Sequence, residues 1–363
     1  MKILVDIGHP AHVHLLKNVA NNLEKNGHSI YFSVRDIPIV KRLMDIYEMP
    51  YINLGTKSDK IAGKLWTVLK QDLKLFWFVL KHHIDIGLSS GIALPHVSRL
   101  TKMKSIVFDD DDDEVEKFMV KFSHPFSNTV LSPMALKQHR KTCNAIFYNG
   151  NHELAYLHPN VFRPDTRVLN KLGIQKGERF FVMRFVALKG HHDVGNKGLS
   201  FEQKKKLVEV LLRYGRVIIT AERELEPEFE PYRMSVPAED MHSVLYFASL
   251  YIGDSQTMTS EAAVLGVPSL RCNTFVGRIA TLEEEEKQYG LTYGFTPDQF
   301  NQLIEKAIYL LNQPELRTDW MNKREKFLKD KIDVSAFFTW FIENYPESKH
   351  IMKENPDYQY NFR

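Results

Sequence analysis

Cysteine is nearly missing from this 363-residue chain. Cys143 and Cys272 stand alone, without paired spacing, so neither a disulfide framework nor a thiolate metal site is suggested. A reducing cytoplasm is the expected setting. Long apolar runs are also missing: the longest, LFWFVL at 75–80, is far shorter than the roughly 20 residues that span a bilayer. The N-terminus has no apolar signal-peptide core. The expectation is a soluble protein that at most sits on the inner face of a membrane. A strong charge excess is lacking too, with 48 Lys and Arg against 45 Asp and Glu and a formal charge of +3. That balance argues against general nucleic-acid binding, which leans on a basic surface. No internal repeat occurs, and low complexity is confined to one acidic run.

What is present is enough apolar residue, 44%, to bury a large core, in a length that favours two domains. KILVDIG reads as a buried strand, followed by Val13, Leu16, Val19 and Leu23 at helical spacing and by Gly27 as a helix stop. SIYFSV is a second strand. An amphipathic stretch from Ile61 to Lys81, a strand DIGLSS, a helix PHVSRL, and strands KSIVF, TVLS and AIFYN continue the alternation. A segment rich in Pro, Gly and charge reads as a linker, placed at 161–178. The series then restarts with strands FFVMRF, RVIIT, LYIGD and PSLRC, helices between them, and helical patterning after Pro297. The expected fold is α/β, two Rossmann-like doubly wound parallel sheets facing a central cleft: residues 1–160 as an acceptor domain, and 179–363 as a nucleotide-sugar domain with C-terminal helices.

Chemistry-bearing residues cluster at strand ends. IGHPAHVHLL places Gly8, His9, His12 and His14 between the first strand and the first helix, where backbone N–H groups face a ligand. The 9, 12, 14 spacing fits no standard zinc pattern, so metal binding is not expected. His12 can act as a general base, His9 as a loop or acceptor contact, and His14 as packing. YIGDSQTMTSEAAVLGVPSL offers Ser255, Gln256, Thr257, Thr259 and Ser260 at a helix start, with Glu261 one turn on. Either they meet a pyrophosphate and ribose, or they cap the helix and complement its dipole. In FDDDDDEVEKF, Asp109 and Asp110 end a strand, whereas Asp111, Asp112 and Asp113 read as a solvated helix-start face. RFVALKGHHDVGNKG supplies Arg184, His191, His192 and Asp193. YNGNHELAYLHP supplies Asn149, His152 and Glu153, and Glu222 and His242 are further candidate contacts. LWTVLKQDLKLFWFVLKHH interleaves lysines with aromatics, and a core helix with snorkelling lysines is favoured there over an interfacial helix on anionic lipid.

The segments IGHPAHVHLLKN, SIVFDD, YNGNHELAYLHP, RFVALKGHHDVG and MHSVLYFASLYIGDSQTMTSEAAVLGVPSL resemble the domain-of-unknown-function 354 family over almost the whole chain. The stretch from His12 to Leu23 is similar to the first loop and helix of GT-B glycosyltransferases such as the muramyl N-acetylglucosaminyltransferase. SEAAVLGVPSL resembles their donor-nucleotide motif, and also that of the UDP-N-acetylglucosamine 2-epimerases. The resemblance implies a nucleotide-sugar donor, with UDP the expected nucleotide, held mainly by the C-terminal domain, and a reaction that needs no metal or other cofactor. It also implies that Glu261 contacts ribose, that residues 255–260 face the pyrophosphate, and that His12 is the catalytic base. The chain departs from the pattern in having GHPAH where a glycine-rich turn is usual, and in the acidic run from Asp111. The expected activity is glycosyl transfer to a sugar or lipid-linked acceptor in surface polysaccharide or glycolipid synthesis. A 2-epimerase, using His192, Asp193, Asp109 and Glu153 as acids and bases, and a non-catalytic nucleotide-sugar-binding protein are the alternatives.

Overall fold

The computed structural model describes residues 1–55, 61–175, 177–185, 198–221 and 224–363, the side chains of 61–69 excepted. The chain divides into two units, Met1–Val161 with Lys331–Arg363, and Phe162–Asp330.

In the first unit, Ile3, Leu4, Val5 and Ile7 are wholly buried, as a strand covered on both faces requires. Seven parallel strands pair here: β1 (Lys2–Ile7), β2 (Ser29–Val34), β3 (Tyr51–Asn53), β4 (Ile86–Ser89), β5 (Lys104–Phe108), β6 (Thr129–Pro133) and β7 (Ala145–Tyr148). Their order, β3-β2-β1-β4-β5-β6-β7, reverses between β1 and β4. Such a reversal opens a crevice at the carboxyl ends of those two strands.

The second unit has five parallel strands, β8 (Phe180–Phe185), β9 (Arg216–Ala221), β10 (Leu250–Gly253), β11 (Ser269–Cys272) and β12 (Thr292–Phe295). The order β12-β11-β10-β8-β9 reverses between β8 and β10. The sequence pattern misses β3 and β12, which are three and four residues long and largely half-buried, too short for a period to emerge.

The C-terminal boundary differs from the sequence reading. Residues 331–363 belong to the first unit, not the second. Their helix Val334–Glu343 lies along helix Pro10–Lys25, where Asn22 reaches Thr339 at 3.4 Å, and Asn26 and His28, just past its end, reach Glu343 at 2.7 and 3.2 Å. Phe338 packs against Phe108 and Tyr148, with ring centres 4.8 and 5.0 Å apart. An aromatic-rich helix such as FFTWFI needs an apolar surface to cover, and the helix face beside β1 supplies one.

Candidate functional site

At the β1 end, Gly8 is held by geometry: a Cβ there would sit 2.7 Å from an Arg35 guanidinium nitrogen. Arg35 follows β2 and pairs with buried Asp6 at 3.2 Å, while Ser33 donates to the other Asp6 oxygen at 2.8 Å. The sequence reading passed over Arg35, although a cation directly after a strand, at the ligand-facing carboxyl end of a parallel sheet, is a legible signal. His9 caps helix Pro10–Lys25, its Nδ1 accepting the Ala11 N–H at 3.3 Å. His14 is buried between Tyr47 and Tyr156.

His12 differs from expectation. Its Nδ1 accepts the Gly8 N–H at 3.3 Å, so a neutral His12 ring carries its proton on Nε2. The N-terminal loop thus presents a donor, a guanidinium and a helix N-terminus, a set suited to an anion rather than to base catalysis.

The acidic run is divided by its partners. Asp109 is buried, accepting from His124 Nε2 at 2.7 Å, Arg140 at 3.0 Å and the Asp111 N–H at 3.1 Å. Burial works to raise its pKa, but the His124 hydrogen bond and the Arg140 charge outweigh it and hold the carboxyl below its ordinary value. Asp109 is therefore a structural anchor and not an available catalytic acid. Asp112 and Asp113, expected on a solvated face, are buried as well. Asp112 meets His139 at 2.5 Å, and Asp113 meets Arg140 at 2.6 Å and the Lys141 N–H at 2.9 Å. No helix starts at these acids; the next one, Lys117–Phe122, begins later.

Asp110, like Asp111, is only half-buried. Its side chain is 34% exposed, and His152 Nδ1 holds it at 3.1 Å. An Nδ1–H directed at the carboxylate leaves the His152 Nε2 as a bare acceptor, and that nitrogen is buried with no hydrogen-bond partner. Beside them, burial pushes the Tyr148 hydroxyl well above its ordinary pKa, with Asp110 and Glu153 adding to the effect, so it stays neutral. Glu153 is buried at the head of helix Leu154–Leu157. Among the described residues, Asp109, Asp110 and Asp111 have ligand atoms within 4.8 Å of one another, but Asp109 is already engaged. Asn149, proposed as a ligand contact, is clasped by the C-terminal segment: its N–H donates to Gln359 at 2.6 Å, and its side chain meets Lys331 at 3.1 Å and Tyr360 at 3.4 Å.

In the second unit, helix Gln256–Val264 begins at the β10 end, with Ser255 as its N-cap accepting the Met258 N–H at 3.3 Å. The helix starts earlier than the sequence pattern indicated. Thr259 and Ser260 consequently lie inside it, buried: Thr259 bonds the Ser255 carbonyl at 2.6 Å, and Ser260 bonds Glu285 at 2.6 Å. They secure the helix and do not face a pyrophosphate. Half-buried Gln256 and exposed Thr257 occupy the first turn, where N–H groups have no intrahelical partner. Glu261, buried one turn on, accepts from His242 Nε2 at 3.0 Å. At the neighbouring β8 end, Arg184 donates to Thr220 at 2.9 Å. Gly198 leaves room beside Asp254, since a Cβ there would meet an Asp254 oxygen at 2.5 Å. His191, His192, Asp193 and Glu222 lie outside the described residues.

Comparison with known proteins agrees with this architecture. An uncharacterized protein of Methanocaldococcus jannaschii is 23% identical over 295 residues, covering 75% of this chain and 82% of its own length. Among solved structures, the S. aureus MnaA–UDP complex matches with a TM-score of 0.68 at 12% identity, covering 98% of this chain and 97% of that one. The M. jannaschii UDP-GlcNAc 2-epimerase in complex with UDP-GlcNAc and UDP matches at 0.63 and 14%, covering 86% and 93%. The spinosyn rhamnosyltransferase SpnG matches at 0.59 and 12%, covering 95% and 100%. At such identities these likenesses establish the fold, the two-domain α/β arrangement called GT-B. Residues 1–284 match the model of the family described as protein of unknown function (DUF354), and the chain belongs to that family.

Proposed function

We propose that the chain is a metal-independent glycosyltransferase that takes a nucleoside diphosphate sugar, with UDP as the nucleotide, on its second unit and a sugar or lipid-linked acceptor on its first. The observation that carries the nucleotide assignment is the helix Gln256–Val264 at the β8/β10 reversal, with its Ser255 cap and the buried Glu261–His242 pair one turn in. The first-turn N–H groups and the helix dipole suit a diphosphate, and stabilise it most as it departs with a growing charge. Glu261 accepts the ribose hydroxyls, with His242 fixing its rotamer. Asp110 takes the acceptor hydroxyl's proton as the new glycosidic bond forms and the anomeric C–O bond breaks, its electrons leaving with the diphosphate. The assignment to Asp110 replaces that to His12, which instead donates from Nε2 alongside Arg35.

The nucleotide assignment is checked by thermal shift and titration with UDP and UDP-sugars. A ligand that binds only the folded state raises apparent stability by mass action, about 2.7 kcal/mol at 100 times Kd. Glu261→Gln keeps an acceptor for His242 while losing the charge, and is expected to weaken UDP about tenfold, the difference between a charged and a neutral hydrogen bond. Unchanged affinity in this variant would remove Glu261 from the site.

A 2-epimerase reading is favoured by the cationic and hydrogen-bonding groups at the β1 end, because elimination of the nucleotide calls for donors to the leaving diphosphate together with a base, here Asp110, that takes the C2 proton. Incubation with UDP-N-acetylglucosamine alone, followed by proton NMR of the C2 configuration, separates the readings. Transfer predicts no change without an acceptor; interconversion of the C2 epimers would establish the epimerase.

A further inference from the structure

The two faces of the first sheet are finished differently. Helix Pro10–Lys25, on one side, is covered by the returning C-terminal helix Val334–Glu343. The elements that connect β3 to β6, namely helices Ile61–His82, Ala93–Leu100 and Lys117–Phe122 with the short turn His124–Phe126, carry large apolar side chains into solvent. Helix Ile61–His82 is apolar on two sides. Leu75 and Val79 enter the core, while Leu73, Trp77 and Leu80, at helical spacing on the outside, are 56%, 65% and 41% exposed. Phe118, Phe122 and Phe126 are exposed on the neighbouring elements.

His96 joins these pieces into one surface. Its Nδ1 meets Asp72 at 3.5 Å, its Nε2 meets the Phe122 carbonyl at 2.8 Å, and its ring packs edge-on against Phe126 at 4.8 Å. Arg99 donates to the Pro125 and Phe126 carbonyls at 2.8 and 2.9 Å, tying down the same turn. The surface is therefore ordered by its own hydrogen bonds and is not a loose flap.

Charge selects the occupant. On the described side chains of the four elements that form this surface, Lys70, Lys74, Lys81, Arg99, Lys117 and Lys121 are exposed, and the one acid, Asp72, is half-buried against His96, although the whole chain is nearly balanced. A protein partner would be served by the apolar side chains alone; aromatics and leucines set among lysines match a bilayer interface, where rings sit at headgroup level and ammonium groups meet anionic phosphates. No helix among the described residues is long and apolar enough to cross a membrane, so contact is along the surface. We propose that this face of the first unit docks on an anionic lipid bilayer. The inference does not depend on the reaction proposed above.

Flotation of the full chain with vesicles tests it. Vesicles of phosphatidylcholine containing about a third phosphatidylglycerol should carry the protein at low salt, pure phosphatidylcholine vesicles should carry much less, and added salt should release it. Lys81→Glu with Lys117→Glu should weaken partitioning at least about thirtyfold, taking each basic side chain at the surface as worth about fivefold. Trp77→Ser should weaken it about tenfold or more through lost apolar burial. All three positions are exposed, and a thermal melt matching the parent shows that the variants fold. Equal binding to neutral and anionic vesicles, unchanged binding of both variants, or a dimer that Trp77→Ser dissociates would overturn the proposal, the last assigning the face to a second copy of the chain.

Discussion

Asp110→Asn is expected to lower turnover by about 10²–10⁴-fold, the usual contribution of a positioned general base, with little change in nucleotide affinity. Asparagine has nearly the same volume, and its amide oxygen can still accept from His152 Nδ1, which holds Asp110 at 3.1 Å. The substitution therefore removes the proton acceptor and leaves the loop in place. The loss should fall on kcat more than on KM for the donor, because the diphosphate and ribose contacts are assigned to the second unit. His152→Asn, which removes the ring that holds Asp110 at 3.1 Å, should give a smaller loss in kcat. A full-rate Asp110→Asn enzyme would remove the first unit's carboxylate from the chemistry. His12→Ala serves as the contrast. With Nδ1 held by the Gly8 N–H, its loss should weaken anion binding and leave the pH profile of turnover in place.

Asp109→Ala is expected to act on folding. The Asp109 carboxylate is the shared acceptor of His124 and Arg140, both almost wholly buried. Removing one member of such a network strands buried donors and charge, which costs about 3–5 kcal/mol. Urea denaturation of the full chain should show the first unit's transition moved to lower urea with its slope retained. A shift worth less than about 1 kcal/mol, the scale of an exposed pair, would show that the network does not anchor the unit. The pH dependence has a definite sign. Because the folded-state pKa of Asp109 is lowered, its contribution is complete above the unfolded value of about 4 and is lost as pH falls through the lower folded value. The variant should therefore lose most relative to the parent near neutral pH, and the two should converge in acid.

These two aspartates, adjacent in sequence, show how far local reading reaches. Both follow β5 directly, and both are candidates for the site in the sequence. Nothing local separates them. The separation comes from Arg140, on the loop after β6, and from His152, past β7, which the parallel crossovers bring to the same edge. The same remote arginine takes Asp113 out of solvent from 27 residues away. Likewise, the pattern of SEAAVLG located a helix but not its first turn. Apolar spacing reports which face is buried, whereas the start is set by the Ser255 cap, and so the pattern, which begins the helix at Thr259, leaves out Gln256, Thr257 and Met258.

The sequence by itself determined the strands other than β3 and β12, since runs such as KSIVF, RVIIT and FFVMRF are apolar enough to be buried on both faces. It also determined their alternation with helices, and hence two parallel sheets with His12, Asp110, Ser255 and Glu261 placed beyond the carboxyl ends of their strands. Tertiary structure alone decided that the last 33 residues return to the first unit, that His12 is a donor, and that Asp110 rather than Asp109 faces solvent. The physical reason is common to all three. Burial and protonation are properties of what a group meets, and the partners here, the helix beside β1, the Gly8 N–H and the Arg140 guanidinium, are chosen by the fold rather than by the neighbouring residues' composition.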